Sequence, residues 1–235
     1  MMLKILQEAR ATGHKILAVL IDPDRVDERF LNFVAEAHPE LVFVGGSLIT
    51  EEGFDARVQH IRERLKQPLV LFPGHPSQVT SAVDAVLFLS LISGRNADLL
   101  IGQHVVAAPR IRELNLETIA TGYMIIDGGR PTTASYISGT QPIPRDKAGI
   151  AAATAMAGEM LGLQCLYLDA GSGAQWAIPA DLIRAVRAKT SIPLIVGGGI
   201  RSKEEIRQAF DAGADVVVVG TVIEEQPDLL ASLLA

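Results

Sequence analysis

Residues 193–221 read PLIVGGGIRSKEEIRQAFDAGADVVVVGT, and no other stretch restricts the fold so tightly. Two short apolar strands, 193–196 and 216–219, flank a helix of amphipathic pattern, and each runs straight into glycine. Ser202 stands where an N-cap belongs, and Glu205 three residues on completes a capping box. Glycine lets a backbone approach a bound group and turn N–H donors towards it, while the start of a helix favours negative charge. The guest that suits such loops is a phosphate. Glycines serving only as tight turns are the competing explanation, and the repetition of the arrangement at Gly220 and Thr221 weighs against it.

In (β/α)8 barrels a phosphate site is frequently built from the loops after strands 7 and 8. If this unit is strands 7 and 8, six earlier strands must be countable. Apolar runs at 16–21, 41–44, 68–72, 85–89, 117–126 and 165–168 supply them, with helices at 27–37, 51–66, 98–114, 146–161 and 179–189 between, and 227–234 as the eighth. Asp146 is placed to cap the helix of 146–161. Between 72 and 85 there is room for only a short helix, which leaves one side of the barrel open. The expectation is an α/β chain forming a single (β/α)8 barrel over residues 1–235, with a standard phosphate site and a degenerate third helix. The irregular stretch 127–145 has the length of a lid or binding loop. The helix of 98–114 is apolar enough to be buried on two sides, which predicts a homo-oligomer.

Hydrophobic residues make up 49% of the chain and aromatics 5%, so the core is mostly small aliphatic, as a parallel sheet covered by helices requires. The net charge of −6, with no basic block, argues against nucleic acid or an anionic membrane as main partner. No leader or spanning segment is legible, and a cytoplasmic location is expected. The lone Cys165 excludes an internal disulfide and reads as a core residue, and the five histidines lack metal-ligand spacing.

Placing all strands puts Asp22, Ser47, Asp169, the glycines at 197–199 and the pair Gly220 and Thr221 on one rim, since each follows a strand end. Mg2+ takes oxygen ligands and needs only one or two carboxylates, so Asp22 with the Ser47 hydroxyl fits it. Asp169 is then free to act as general base towards a substrate hydroxyl, or else is a turn residue. Asp24 reads equally well as a cap and as a functional carboxylate.

The stretch Tyr167-Leu168-Asp169-Ala170-Gly171-Ser172-Gly173-Ala174 resembles the YLEAGSGA signature of geranylgeranylglyceryl phosphate synthases, whose relatives include bacterial heptaprenylglyceryl phosphate synthases. LIDPD at 20–24, VGGS at 44–47, SGRN at 93–96, TGYMI at 121–125, PIPRDK at 142–147, VGGGIRS at 196–202 and VGT at 219–221 look like that family in the same order. The resemblance implies prenyl transfer from geranylgeranyl diphosphate to the primary hydroxyl of sn-glycerol 1-phosphate, with release of pyrophosphate, in ether phospholipid biosynthesis. It implies Mg2+ on Asp22 and Ser47. Glycerol phosphate would be bound by Tyr167, Leu168, Asp169, Ala170, Gly171, Ser172 and Gly173 on one loop, by Gly198 and Gly199 on the next, and by Gly220 and Thr221. Asp169 would be the base, and Arg145 and Lys147 would cover the diphosphate or remain solvated. The prenyl tail would lie in the open side at the third helix, with transient membrane contact through the product.

Asp169 stands where the family usually has Glu, and so does Asp127. Leu20, two residues before Asp22, replaces the lysine of the heptaprenyl branch and favours a geranylgeranyl-length donor. Two other readings stay open. A phosphate-binding-barrel isomerase of amino-acid biosynthesis would need a second acid or base facing Asp169. A non-catalytic phosphate-metabolite binding protein would explain the shortened carboxylate.

Overall fold

Runs of Val, Ile and Leu that end in glycine or aspartate leave the chain little choice but short parallel strands buried on both faces. In the computed structural model, which describes residues 1–234, these are β1 (Ile16–Ile21), β2 (Leu41–Val44), β3 (Leu69–Leu71), β4 (Ala85–Leu91), β5 (Glu117–Ile125), β6 (Cys165–Asp169), β7 (Leu194–Gly197) and β8 (Val216–Val219). They pair in sequence order as a closed barrel, and β8 returns to β1 with Val219 opposite Val19. The expected (β/α)8 architecture is therefore present.

Alternate residues of each strand divide the core in two. Phe43, Leu87, Ile125, Tyr167, Ile195 and Val218 fill the barrel interior, whereas Val42, Val86, Met124, Leu168, Val196 and Val219 face the helices. The helix α1 (Met2–Thr12) turns Met2, Leu6 and Ala9 into the interior cluster and plugs the amino-terminal end. Glu117, at the start of β5, accepts hydrogen bonds from the first amides of α1, at 2.7 Å from Met2 N and 3.0 Å from Leu3 N. Cys165 is fully buried and burial pushes its thiol far up, so it is an inert core residue.

The outer ring comprises α2 (Glu28–Ala37), α3 (Phe54–Arg64), α4 (Gln103–Glu113), α6 (Ala148–Met160), α7 (Ala180–Arg187), α8 (Lys203–Asp211) and α10 (Leu229–Leu234). Between β3 and β4 there is only a 3-10 turn, Pro76–Gln78, so the third helix is degenerate as its spacing predicted. The segment before α4 is a π turn, Asp98–Gly102, rather than a continuation of regular helix. Two short helices had no counterpart in the sequence reading: α5 (Thr133–Ser138), inside the long loop, and α9 (Thr221–Glu225), directly after β8. Asp146 does not cap α6; the N-cap is Lys147, without a side-chain bond, and the two residues pair with each other at 3.3 Å on the surface. Ser202 and Glu205 do form the capping box of α8.

Candidate active site at the carboxyl end of the barrel

Asp169 ends β6 with its side chain turned into the barrel, and it is only 6% exposed. Both carboxylate oxygens are engaged: Tyr123 Oη donates to Oδ2 at 2.6 Å, and Gly171 N donates to Oδ1 at 2.7 Å. Burial raises the pKa of Asp169, against the pull of these two bonds. Tyr123 and Tyr167 are held well above the ordinary phenol range, first by burial and then by the nearby Asp169. Phe72 stacks on Tyr167 with centroids 4.9 Å apart and meets Tyr123 edge-on at 5.6 Å, so aromatic rings fix both tyrosines.

The glycine-rich loops after β7 and β8 lean on this carboxylate. Gly198 has φ of +81°, and a Cβ there would sit 2.5 Å from Gly171 N and 2.7 Å from Asp169 Oδ1. Only glycine both takes that conformation and lets the β7 and β6 loops touch. Ser172 Oγ lies 3.1 Å from Thr221 Oγ1, which joins the β6 loop to the β8 loop. Gly220 caps α9, whose Ile223 and Glu224 amides bond back to the Gly220 carbonyl, while those of Thr221 and Val222 precede the first intrahelical bonds. Arg201 clamps the assembly from outside, donating to Ala174 O at 2.7 Å, Gly199 O at 3.2 Å and Gln175 O at 3.3 Å.

Across the mouth, Asp22 follows β1. Its Oδ1 accepts from Asp24 N at 3.0 Å, and its Oδ2 is 3.7 Å from Arg25 Nε. The same guanidinium lies 3.6 Å from Glu224 Oε2, so Arg25 is shared between two carboxylates. Burial raises the pKa of both Asp22 and Glu224, with Arg25 acting against it. The Gly46 backbone rests against Asp22, where a Cβ would lie 3.4 Å from Oδ1, and Ser47 lines the cavity beside it. Asp24, by contrast, is a loop staple: it accepts from Thr50 N at 2.7 Å, Thr50 Oγ1 at 3.1 Å and Arg57 Nη2 at 3.1 Å.

One cavity of about 280 Å³ connects these groups. Asp22, Ser47, Tyr167, Asp169, Ser172, Gly173, Gly198, Gly199, Gly220 and Thr221 line it together, whereas Gly171 and Gly197, also expected on this rim, are not among the lining, and the Gly171 amide instead donates to Asp169. Leu168 and Ala170 belong instead to the core between barrel and helices, and can offer a ligand only their backbone. Arg145 lies over the Trp176 ring at 4.8 Å, and neither it nor Lys147 is among the cavity lining. Asp127 is a turn residue that accepts from Gly129 N at 2.8 Å. From the polar end the cavity continues as an apolar groove past Val79, Val86, Phe88, Leu99, Ala107 and Ile111, along the side left open by the 3-10 turn. Tyr123, Arg201 and Glu224 escaped the sequence reading. For Tyr123 the available signal was its inward position on β5, in register with Tyr167 of β6.

A closed parallel barrel whose strand 6, 7 and 8 loops converge on a buried carboxylate, with an apolar groove leading away, defines a phosphate-binding (β/α)8 barrel of catalytic build. The chain belongs to the PcrB family, whose model matches residues 9–234. It is 51% identical over 233 residues to the geranylgeranylglyceryl phosphate synthase of Spirosoma linguale, covering 97% of this chain and 94% of that protein. The protein of the same name from Korarchaeum cryptofilum is 41% identical, over 97% and 95% of the two chains. Among solved structures, (S)-3-O-geranylgeranylglyceryl phosphate synthase of Thermoplasma acidophilum, in complex with its substrate sn-glycerol-1-phosphate, superposes with a TM-score of 0.91 at 28% identity, covering 99% and 95%.

Proposed function

We infer that the protein is a prenyltransferase that forms an ether between the primary hydroxyl of sn-glycerol 1-phosphate and the first carbon of geranylgeranyl diphosphate, releasing pyrophosphate. The observation that carries this reading is the buried Asp169, set between phosphate-cradling loops on one side and a long apolar groove on the other. The relatives' names and the glycerol phosphate in the Thermoplasma structure agree with it.

The backbone at Gly198, Gly199, Gly220 and Thr221, with the Ser172 and Thr221 hydroxyls, receives the phosphate. That anchoring brings the primary hydroxyl to Tyr123 and Asp169, and the groove holds the tail so that the diphosphate end lies at Asp22 and Ser47. The allylic C–O bond breaks with its electron pair leaving on pyrophosphate, the glycerol oxygen bonds to the carbon, and its proton ends on Asp169.

The donor set at the diphosphate end fits Mg2+. Asp22, Ser47 and Glu224 offer hard oxygens, and a guanidinium already shared by two carboxylates marks a place where positive charge is stabilised. Asp22 and Ser47 would hold the ion, which when bound draws negative charge off the leaving diphosphate. Among the described residues no helix is long and apolar enough to cross a membrane. The protein would work in the cytoplasm, as a homo-oligomer joined through the apolar face of α4, with transient membrane contact through its product.

Radiolabelled sn-glycerol 1-phosphate offered with farnesyl, geranylgeranyl and longer prenyl diphosphates tests the reading, with sn-glycerol 3-phosphate as stereochemical control. The expected result is a labelled, organic-soluble product that requires Mg2+ and the 1-phosphate and is formed fastest with geranylgeranyl diphosphate. No product from any donor, despite glycerol phosphate binding, would favour a binding protein.

A further inference from the structure

An aspartate is one methylene shorter than a glutamate, and Asp169 starts from a strand end already deep in the barrel mouth. Its two oxygens face Tyr123 Oη and Gly171 N, and the carboxylate is 6% exposed. Tyr123 is on the neighbouring strand, two residues behind the partner of Asp169: Ile125 is opposite Asp169, and Tyr123 is opposite Tyr167. Residues two apart on a strand share a face, so both side chains point into the barrel. The length of a tyrosine spans that diagonal and brings its hydroxyl to 2.6 Å from Oδ2. The rest of the ring is held by Phe72 and Tyr167, and the residue lines the cavity where the glycerol hydroxyl must sit.

We propose that Tyr123 is a catalytic residue, a proton relay that restores the reach Asp169 lacks. As the glycerol oxygen attacks the prenyl carbon, its O–H bond breaks and the proton goes to Tyr123 Oη. The original Tyr123 proton passes in the same motion to Asp169 Oδ2, and the electron pair of the broken allylic C–O bond leaves on pyrophosphate. No free tyrosinate forms at any point, which suits a phenol buried beside a carboxylate. The relay rests on the prenyltransfer reading.

The test compares wild type, Tyr123→Phe, Asp169→Glu and the double variant, with glycerol phosphate affinity measured for each. Phenylalanine keeps the ring and its packing, so binding and fold should persist. Expected is a fall in kcat of about a hundredfold or more for Tyr123→Phe, the range of general acid–base catalysis, with KM for glycerol phosphate nearly unchanged. In the Asp169→Glu background, where the longer side chain reaches the substrate itself, the same change should cost less than about tenfold. The acidic limb of the kcat/KM profile should also move to higher pH in Tyr123→Phe, because a bond that stabilises the carboxylate is gone. Equal losses in both backgrounds, or an unmoved acidic limb, would reduce Tyr123 to a structural residue and overturn the relay. Absence of product from wild type and Asp169→Glu alike would overturn the prenyltransfer reading itself, and the relay with it.

Discussion

The carboxylates of the mouth differ in what their surroundings do to them. Asp24 is bonded to the β2 loop and Arg57, and despite the opposing effect of burial these bonds hold its pKa below the ordinary value. Asp22 and Glu224 are lifted by burial, against the Asp24 amide at Asp22 and the Arg25 guanidinium shared between the two. A lifted carboxylate still holds its proton in the folded state when the unfolded chain, at about pH 4, has begun to lose it. Stability therefore falls as pH rises from that value through the lifted one, and the penalty is fully present above it. Glu224→Gln should melt at a higher temperature than wild type at pH 7, with the difference vanishing towards pH 4, read by calorimetry without metal. A variant no more stable than wild type at pH 7 would show that Arg25 already compensates the buried pair. The same contrast explains why sequence alone left Asp24 undecided: its hydrogen-bond partners Thr50 and Glu51 come from the loop after β2 and Arg57 from α3.

At the level of elements, α7, β7 and β8 are locked by one buried ion pair. Asp215 is 1% exposed and accepts from Arg187 Nη1 at 3.0 Å and Leu194 N at 2.9 Å, and Arg187 also donates to Ile192 O at 2.9 Å. Arg187→Ala strands a charge in the core and should cost about 3–5 kcal/mol in denaturant unfolding, the range for breaking such pairs. The groove makes a second prediction, because Ala107 of α4 is the small residue on its wall. Ala107→Phe should lower kcat/KM for geranylgeranyl diphosphate by about tenfold or more, while farnesyl diphosphate suffers less, since each methylene excluded from an apolar pocket matters on that scale. Strands such as β1 and β8 were legible because an unbroken apolar run ends in aspartate or glycine. The short α5 and α9 were not, since five or six residues carry too little periodicity to stand out. The Tyr123–Asp169 contact was invisible for another reason: it joins residues 46 apart, and only strand register brings them together.

For the molecule as a whole, a closed barrel leaves no sheet edge to pair, so association cannot use strand addition and turns on the helix faces and loops. The π turn and α4 present Ile101, Val105 and Val106 to solvent at 60%, 67% and 67% exposure. On α6, which follows β5 as α4 precedes it, Ile150 and Met160 are also exposed. Exposed aliphatic residues are ordinary when scattered, but three large ones within six residues on the π turn and α4 cost solubility unless something covers them. The sequence suggested burial of the 98–114 helix on two sides; one side packs on the barrel through His104, Ala107 and Ile111, and the other is this open face. A second copy would cover it while leaving the mouth free, because the polar end of the cavity is built from the loops after strands 6, 7, 8, 1 and 2. Light scattering should accordingly give a multiple of the single-chain mass for wild type. Val105→Glu combined with Val106→Lys should give the single-chain mass, with glycerol phosphate binding retained. If wild type already scatters as one chain, the face is not an interface between copies. If the double variant stays associated, the contact lies on another face, and the apolar character of α4 serves the groove beneath it.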